Sequence, residues 1–237
     1  MRVALTALED TRQQIMSCDR CERLRTYCAR IAREKKPAHR NDTYWGRPVP
    51  GFGDPGARML VLALAPAAHG ANRTGRVFTG DAPGGSGDFL MRAMHASGFA
   101  NIPASRHPGD GLQLHDAYIA AAVRCAPPDN KPTPAEIAAC HPHLVAETAA
   151  LPAIRIIVAL GRIGFDAAWR LLADRGVVVR PKPRFGHGFV YDPPGAPVVI
   201  ASYHPSRQNT NTGKLTPAML SDVFATARRI LDAEAWR

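Results

Sequence analysis

A polar loop after the first apolar run of this sequence carries residue types that could do chemistry on a charged intermediate. The loop reads ALAPAAHGANRTGRVFTGD over residues 63–81 and ends in the carboxylate of Asp81. His69 lies in a turn where backbone N–H groups can approach a ligand closely, or else it only orients the loop. Asp81 could hold a reacting water, and Phe78 either packs in the core or stacks on a base. The loop thus combines several donors with one carboxylate.

A second polar loop follows the last apolar run and reads SYHPSRQNTNTGK over residues 202–214. His204 lies where the predicted strand ends, and polar residues project beyond it: Ser206, Arg207, Gln208 and Asn209. A histidine with basic and amide neighbours suits an electrophile beside phosphate contacts. In the first loop, Arg73 and Arg76 are the corresponding candidates for DNA phosphates.

The cysteines form a third group with chemical potential. Cys18 and Cys21 form a C-x2-C pair, and Cys125 and Cys140 flank a proline-rich loop and the start of a helix. Two separated thiolate pairs suit a four-sulfur site, because folding can bring the pairs together. The spacing leaves open whether zinc or a [4Fe-4S] cluster is bound, and buried free cysteines are the other interpretation. Cys28 is predicted to be structural.

Four short apolar runs predict the strands that position these loops, at residues 59–65, 117–123, 154–160 and 198–202. Helical patterns occupy residues 6–33, 88–97, 133–150, 163–174 and 216–235. Thr133 and Glu136 form a capping box with Pro134 at the first helical position.

Strands that alternate with helices predict an α/β fold, a doubly wound α/β/α sandwich around a central, mainly parallel four-stranded sheet. We expect one domain over residues 1–237, with the helical segment of about residues 6–33 joining the cysteine site. In such open sheets, ligands bind outside the carboxyl ends of the strands. The polar loops follow those ends, which places the predicted active site on one edge of the sheet.

Net charge and hydropathy indicate the kind of partner and the cellular compartment. The chain has 30 Lys and Arg against 20 Asp and Glu, a net charge of +10, which is typical of a nucleic-acid partner. No run of eighteen apolar residues predicts a membrane helix, and the N-terminal apolar run is too short for a signal peptide. We therefore expect a cytoplasmic, nucleoid-associated protein, acting as a monomer.

Three long motifs resemble the uracil-DNA glycosylase superfamily, specifically family 5, the type B enzymes. They are GFGDPGARMLVLALAPAAHGANRTGRVFTGD, AVRCAPPDNKPTPAEIAAC and ASYHPSRQNTNTGKLTPAML, in this order. The resemblance runs from Cys18 to about Leu220. It implies a DNA repair enzyme that flips a deaminated base out of DNA and hydrolyses its N-glycosidic bond. It also implies a structural [4Fe-4S] cluster on Cys18, Cys21, Cys125 and Cys140.

The resemblance also implies roles for individual residues. Asp81 is the expected catalytic carboxylate, because APAAHG lacks the acidic residue that other families carry in this turn, and His204 is expected to stabilise the departing base. The residues after His204 would enter the DNA groove. The predicted base-binding residues are Ala65, Pro66, Ala68, His69, Gly70, Phe78 and Asn130.

One position departs from the pattern of related glycosylases. Ala121 stands where they carry an asparagine that reads the uracil edge, which leaves Asn130 or backbone amides to do so and predicts a broad range of bases, hypoxanthine included. Two other functions fit parts of the sequence. A non-enzymatic iron-sulfur or zinc protein that binds DNA and senses redox state explains the cysteines and charge, but not the polar loops on one edge. A hydrolase of free nucleotides or nucleosides is disfavoured by the net charge.

Overall fold

The computed structural model describes residues 2–80 and 84–234, and the side chains of residues 6–80 and 84–233. No helix in these ranges is long and apolar enough to cross a membrane. The fold is a mixed α/β structure with helices on both faces of one sheet.

Four parallel strands form the centre of the sheet, and every residue in them is buried: β2 (Met59–Ala63), β3 (Ala117–Ala121), β4 (Ile156–Leu160) and β6 (Val198–Ser202). They confirm the four predicted strands, although β2 and β3 end two residues earlier than predicted and β4 begins two residues later. Two short strands add antiparallel edges, β1 (Phe52–Gly53) and β5 (Val190–Tyr191). The described sheet therefore has six strands rather than four, in the order β1-β3-β2-β4-β6-β5.

The described α-helices are α1 (Arg2–Met16), α2 (Glu22–Glu34), α3 (Ala71–Thr74), α4 (Ser86–Ala96), α5 (Pro134–Ala149), α6 (Gly161–Asp174), α7 (Arg207–Asn211) and α8 (Pro217–Glu234). All lie largely where the sequence predicts them except the short helices α3 and α7, which fall within the two predicted polar loops. The predicted N-terminal helix is two helices, and the break between α1 and α2 contains Cys18 and Cys21. The capping box at the start of α5 is confirmed, since the Thr133 hydroxyl accepts from the Glu136 N–H.

Alternate residues of the buried strands face two different cores. On β2, Met59 and Val61 pack on one side with α4 and α8, whereas Leu60 and Leu62 pack on the other with α5 and α6. A strand covered on both faces needs apolar residues at every position, which explains the continuous apolar runs. A third apolar cluster joins α2 to the segment after β3 and contains Cys28, Cys125 and Cys140.

Candidate active site and cysteine cavity

A cavity of about 580 Å³ lies at the carboxyl ends of all four parallel strands. Ala63, Ala121 and Leu160 come from the strands β2, β3 and β4, and His204 follows β6. We refer to the space bounded by these four residues as the strand-end cavity. Its volume is in the range of small-molecule binding sites, and its position is the one expected of a ligand site in an open α/β sheet.

His204 enters the cavity wall because β6 ends two residues before it and Pro205 turns the chain. Burial lowers the pKa of His204 to about 4, so the imidazole is neutral at neutral pH. A neutral imidazole still donates one N–H. Glycine at position 161 leaves room for His204, because a Cβ on residue 161 would lie 3.2 Å from the His204 Cβ. Residue 161 also has a φ of +80°, which favours glycine. The site thus presents a neutral histidine as a hydrogen-bond donor.

Strained backbone is concentrated around this cavity. Phe78 has φ +52°, and its ring stacks on His204 with centroids 5.7 Å apart and planes at 27°. Asp129 and Asn130, which also line the cavity, have φ of +52° and +55°. A positive φ is costly for a bulky residue such as Phe78, whereas Asp and Asn adopt it more readily. Asp129 was not singled out from the sequence, because backbone strain leaves no pattern in residue types.

The loop after β2 divides between two neighbourhoods. Ala65 lines the strand-end cavity, while Pro66, Ala68, His69 and Gly70 do not. Ala68 packs against the cluster of Cys28, Cys125 and Cys140 instead. The His69 Nδ1 lies 3.0 Å from the Tyr44 hydroxyl. The structure therefore places His69 as a residue that holds the loop, and only His204 of the two candidate histidines reaches the cavity.

Arg73 and Arg76, the two candidates for phosphate contacts in this loop, form hydrogen bonds inside the protein. The Arg73 guanidinium donates to Asp42 at 2.6 Å and to the Gly80 carbonyl at 2.5 Å. Arg76 is buried and donates to both oxygens of Asp110, at 2.7 and 2.8 Å. This pairing lowers the pKa of Asp110 to about 2 against the opposing effect of burial. Both arginines therefore fix the loop that carries Phe78.

The residues after His204 form the rim of the cavity. Ser206, Arg207 and Gln208 line it, and the Ser206 hydroxyl caps the short helix α7 by accepting from the Asn209 N–H. Asn209 does not line the cavity, because its side-chain amide donates to the His204 carbonyl at 2.8 Å. Asn209 thus positions His204, while Arg207 remains exposed at the rim.

Asp81 lies outside the described residues. The residues on either side of that gap are placed, however, and both Thr79 and Gly85 line the strand-end cavity. Gly80 is anchored by donating to the Ser105 carbonyl at 3.1 Å, and Gly84 donates to Asp88 at 2.9 Å. The segment that contains Asp81 therefore joins two residues of the cavity wall.

Four of the five cysteines line a second, smaller cavity on the other side of the segment after β3: Cys18, Cys21, Cys125 and Cys140. We call this the cysteine cavity. Cys28 is buried beside it and does not line it. Among the described residues, no group of three or more His, Cys, Asp and Glu side chains is arranged to hold a metal ion. Burial raises the pKa of Cys140 to about 11, so this thiol keeps its proton unless a metal displaces it.

A buried arginine beside the thiols tests whether a thiolate cluster fits this cavity. Arg124 lines the cavity and is 1% exposed, yet its three guanidinium nitrogens have no hydrogen-bond partner among the described atoms. One of them forms an ion pair with buried Glu147 at 2.7 Å without hydrogen-bond geometry. Buried polar groups are normally satisfied, so the two guanidinium nitrogens outside this ion pair are donors available to an acceptor in the cavity. An anionic cluster held by four thiolates would supply that acceptor and the negative charge.

The sequence of residues 50–228 matches the Uracil DNA glycosylase superfamily. Similar proteins include the type-5 uracil-DNA glycosylase of Thermus thermophilus, which is 49% identical over 92% of this chain and 95% of its own. The type-5 enzyme of Mycobacterium bovis is 48% identical over 93% of this chain and 80% of its own. The type-4 uracil-DNA glycosylase of Archaeoglobus fulgidus is 30% identical over 85% and 83%. With this match and these identities, the chain belongs to the uracil-DNA glycosylase superfamily.

Proposed function

We propose that this protein is a uracil-DNA glycosylase that hydrolyses the bond between a deaminated base and its deoxyribose and leaves an abasic site. The type-5 uracil-DNA glycosylases share 42% to 49% of its sequence. The observation that carries the proposal is the strand-end cavity, which presents a neutral histidine and a stacked aromatic ring at the mouth of the sheet. This is the arrangement that a flipped base requires.

Base extrusion comes first, because the glycosidic bond is inaccessible inside a stacked duplex. Flipping costs a few kcal/mol and costs least at mismatches, where deaminated bases lie. The Phe78 ring provides a flat apolar surface on which an extruded base stacks. The rim residues Ser206, Arg207 and Gln208 are placed to contact the strand from which the base has left.

Cleavage then produces two opposite charges. The C1′–N bond breaks with both electrons passing to the base, which leaves an anionic base and an oxocarbenium-like sugar. The neutral imidazole of His204 donates its N–H to the base anion, a role similar to that of an oxyanion-hole donor. A neutral donor does this without giving up its proton, so the base leaves as an anion and takes a proton from solvent.

The sugar cation requires a negative charge and a water molecule. Asp81 supplies the carboxylate, and support for this role comes from its sequence position between the cavity-lining residues Thr79 and Gly85. The carboxylate stabilises the cation and orients the water whose oxygen bonds to C1′, and the water's proton passes to the carboxylate or to solvent.

A wide range of bases follows from the cavity wall at Ala121. This methyl group lines the cavity at the position where related enzymes carry an amide that discriminates uracil. Without that amide, rejection of other bases loses a hydrogen-bond requirement, which is the strongest means of discrimination available to a pocket. Hypoxanthine is therefore proposed as a second substrate, with Asn130 as the remaining side-chain amide in the wall.

The proposed cofactor is a [4Fe-4S] cluster on Cys18, Cys21, Cys125 and Cys140. The donor set and the two Arg124 guanidinium nitrogens outside the Glu147 ion pair support it. When bound, the cluster cross-links the α1–α2 break to the segment after β3 and does no chemistry on the base.

The proposed setting is the cytoplasm, where the protein acts as a monomer on nucleoid DNA. The net charge of +10 supports electrostatic association with DNA along the whole chromosome. Sedimentation at micromolar concentration with and without a duplex tests the oligomeric state.

The experiment uses end-labelled duplexes that carry one uracil, hypoxanthine or thymine opposite guanine. After incubation with excess enzyme, alkali cleaves the abasic sites and the product is counted. We expect cleavage at uracil and hypoxanthine and none at thymine, and we expect Asp81→Asn and His204→Ala to slow release in single turnover. Intact strands with DNA binding retained would overturn the proposal in favour of a non-enzymatic DNA-binding protein.

A further inference from the structure

The segment between α6 and β5 carries three exposed cations. Arg180, Lys182 and Arg184 are exposed, and no side-chain hydrogen bond or ion pair to them occurs within the described residues. The sequence has no carboxylate from residue 175 to residue 191. Surface cations usually have acidic neighbours that neutralise them, so this segment maintains an uncompensated positive potential.

The backbone beneath these cations is fixed even though the cations are free. Phe185 packs on Phe165, with ring centroids 5.5 Å apart. The Tyr191 hydroxyl donates to the Arg184 carbonyl at 2.5 Å, and the Gly188 N–H donates to Ala201 of β6 at 2.8 Å. Pro181 and Pro183 alternate with the cations and restrict the chain further. A rigid backbone lowers the entropy cost of placing the charges on a ligand.

This segment adjoins the loop that carries the catalytic histidine. His187 Nδ1 accepts from the Tyr203 N–H at 3.2 Å, and the Phe185 and Tyr203 ring centroids are 6.0 Å apart. Tyr203 directly precedes His204. The end of the segment around Phe185 and His187 therefore lies beside the loop that carries His204.

The same segment exposes apolar side chains. Of the four large apolar residues that are exposed in the described structure, Val178 and Phe189 lie in this segment and Val190 follows it at the start of β5. Apolar surface beside unpaired cations matches a nucleic-acid backbone, which alternates deoxyribose and phosphate. A surface that served solubility alone would have no reason to expose apolar groups.

We propose that Arg180, Lys182 and Arg184 form a basic strip that binds phosphates of the substrate DNA beside the His204 loop. The strip takes the role that the sequence suggested for Arg73 and Arg76, whose guanidinium groups are engaged inside the protein. The inference rests on the proposed action on DNA. The phosphate-binding surface that it assigns lies outside the three motifs on which the superfamily resemblance is based.

The test is the salt dependence of binding to an undamaged duplex, with all three cations replaced in Arg180→Gln/Lys182→Gln/Arg184→Gln. Each phosphate contact contributes about 1 to the slope of log affinity against log salt, so the slope should fall by about 2 to 3.

A matched control replaces three exposed arginines on the helices α4, α6 and α8, in Arg92→Gln/Arg170→Gln/Arg229→Gln. The net charge changes equally, so a general charge effect would lower both slopes alike and would overturn the proposal, as would an unchanged slope in the strip variant. The three single strip variants, each expected to lower the slope by about 1, serve if the triple variant melts early. Because binding to undamaged DNA needs no catalysis, a wild type that binds without releasing a base contradicts the proposed function and leaves the strip result intact.

Discussion

Two cavities flank the segment after β3, and they differ in polarity, exposure and backbone strain. Ala121 and residues 129–130 line the strand-end cavity, whereas residues 123–125 line the cysteine cavity. The first is about 580 Å³ in volume and has non-glycine residues at positive φ in its wall. The second contains four thiols and an arginine that is 1% exposed. Within ten residues, the chain serves a site that must admit a ligand and a site that brings four thiols together.

The difference separates catalysis from stability. Strain and partly exposed polar groups reduce stability and persist where chemistry needs them. Buried metal-binding thiols and a buried ion pair hold separate segments of the chain together, so the loss of either lowers the stability of the fold. Substitutions in the cysteine cavity should therefore act on folding, and those in the strand-end cavity on rate.

The largest effect is expected from Cys125→Ser. Loss of one ligand of the proposed [4Fe-4S] cluster should abolish iron binding and lower the free energy of unfolding by more than about 4 kcal/mol, because loss of a structural metal group is among the few changes that do so. Iron analysis, the absorption of the cluster in the blue and thermal melting measure this. Cys28→Ala is the control, since Cys28 is equally buried but lies outside the lining, and it should retain its iron. Full iron content in the Cys125 variant would contradict the assignment.

A smaller loss is expected from Gly87→Ala in α4. A Cβ at this position would lie 2.2 Å from the Phe78 carbonyl oxygen, so it must displace the residue that stacks on His204. We expect single-turnover release to slow by about tenfold or more, since small misplacements in an active site are costly. Gly109→Ala, whose Cβ would meet its nearest neighbour at an ordinary 3.6 Å, should leave the rate unchanged. Equal rates of release in the two variants would show that the position of Phe78 does not affect catalysis.

Ala121→Asn sharpens the comparison by changing base choice alone. The amide restores a hydrogen-bond requirement in the cavity wall, so the ratio of hypoxanthine release to uracil release should fall by about tenfold or more. Single-turnover rates on the two duplexes give the ratio. Iron content should be unchanged, although Ala121 lies only four residues before Cys125. A ratio that stays the same would show that position 121 does not read the base.

The smallest expected effect concerns pH, because the rate of base release should not change with the protonation of His204. The lowered pKa of His204, about 4, keeps the imidazole neutral throughout pH 5 to 8, so release should show no histidine inflection near pH 6.5. Stability should respond instead: the unfolded chain takes up this proton below about pH 6.5 and the folded chain only near pH 4, so stability falls as pH falls through that window. Acceleration on acidification with a midpoint near 6.5, absent in His204→Ala, would contradict a neutral donor.

The central sheet and the edge that carries the site were predictable because buried parallel strands leave continuous apolar runs. The two edge strands were not, since Phe52–Gly53 and Val190–Tyr191 are too short to show periodicity. The break between α1 and α2 was also missed, although Cys18 and Cys21 in it were identified by their spacing.

Side-chain direction in the loops was the main limit for the site. The sequence assigned the catalytic role to His204 but left open whether His69 binds a ligand or only orients the loop. The structure places His69 against Tyr44, which lies 25 residues earlier. Arg73 and Arg76 looked free for DNA because their partners, Asp42 and Asp110, are distant in sequence. Such pairings depend on tertiary structure, whereas motif position and residue type are local.

The choice between the two histidines is the most direct test of the account. Single-turnover release of uracil from one duplex should be measured for the wild type, His204→Ala and His69→Ala, with melting curves to verify folding. Removal of an oxyanion-type donor costs about 10²- to 10³-fold, so His204→Ala should slow release by that factor, and His69→Ala should stay near the wild type. A slow His69 variant beside a fast His204 variant would contradict the assignment of the strand-end cavity as the active site.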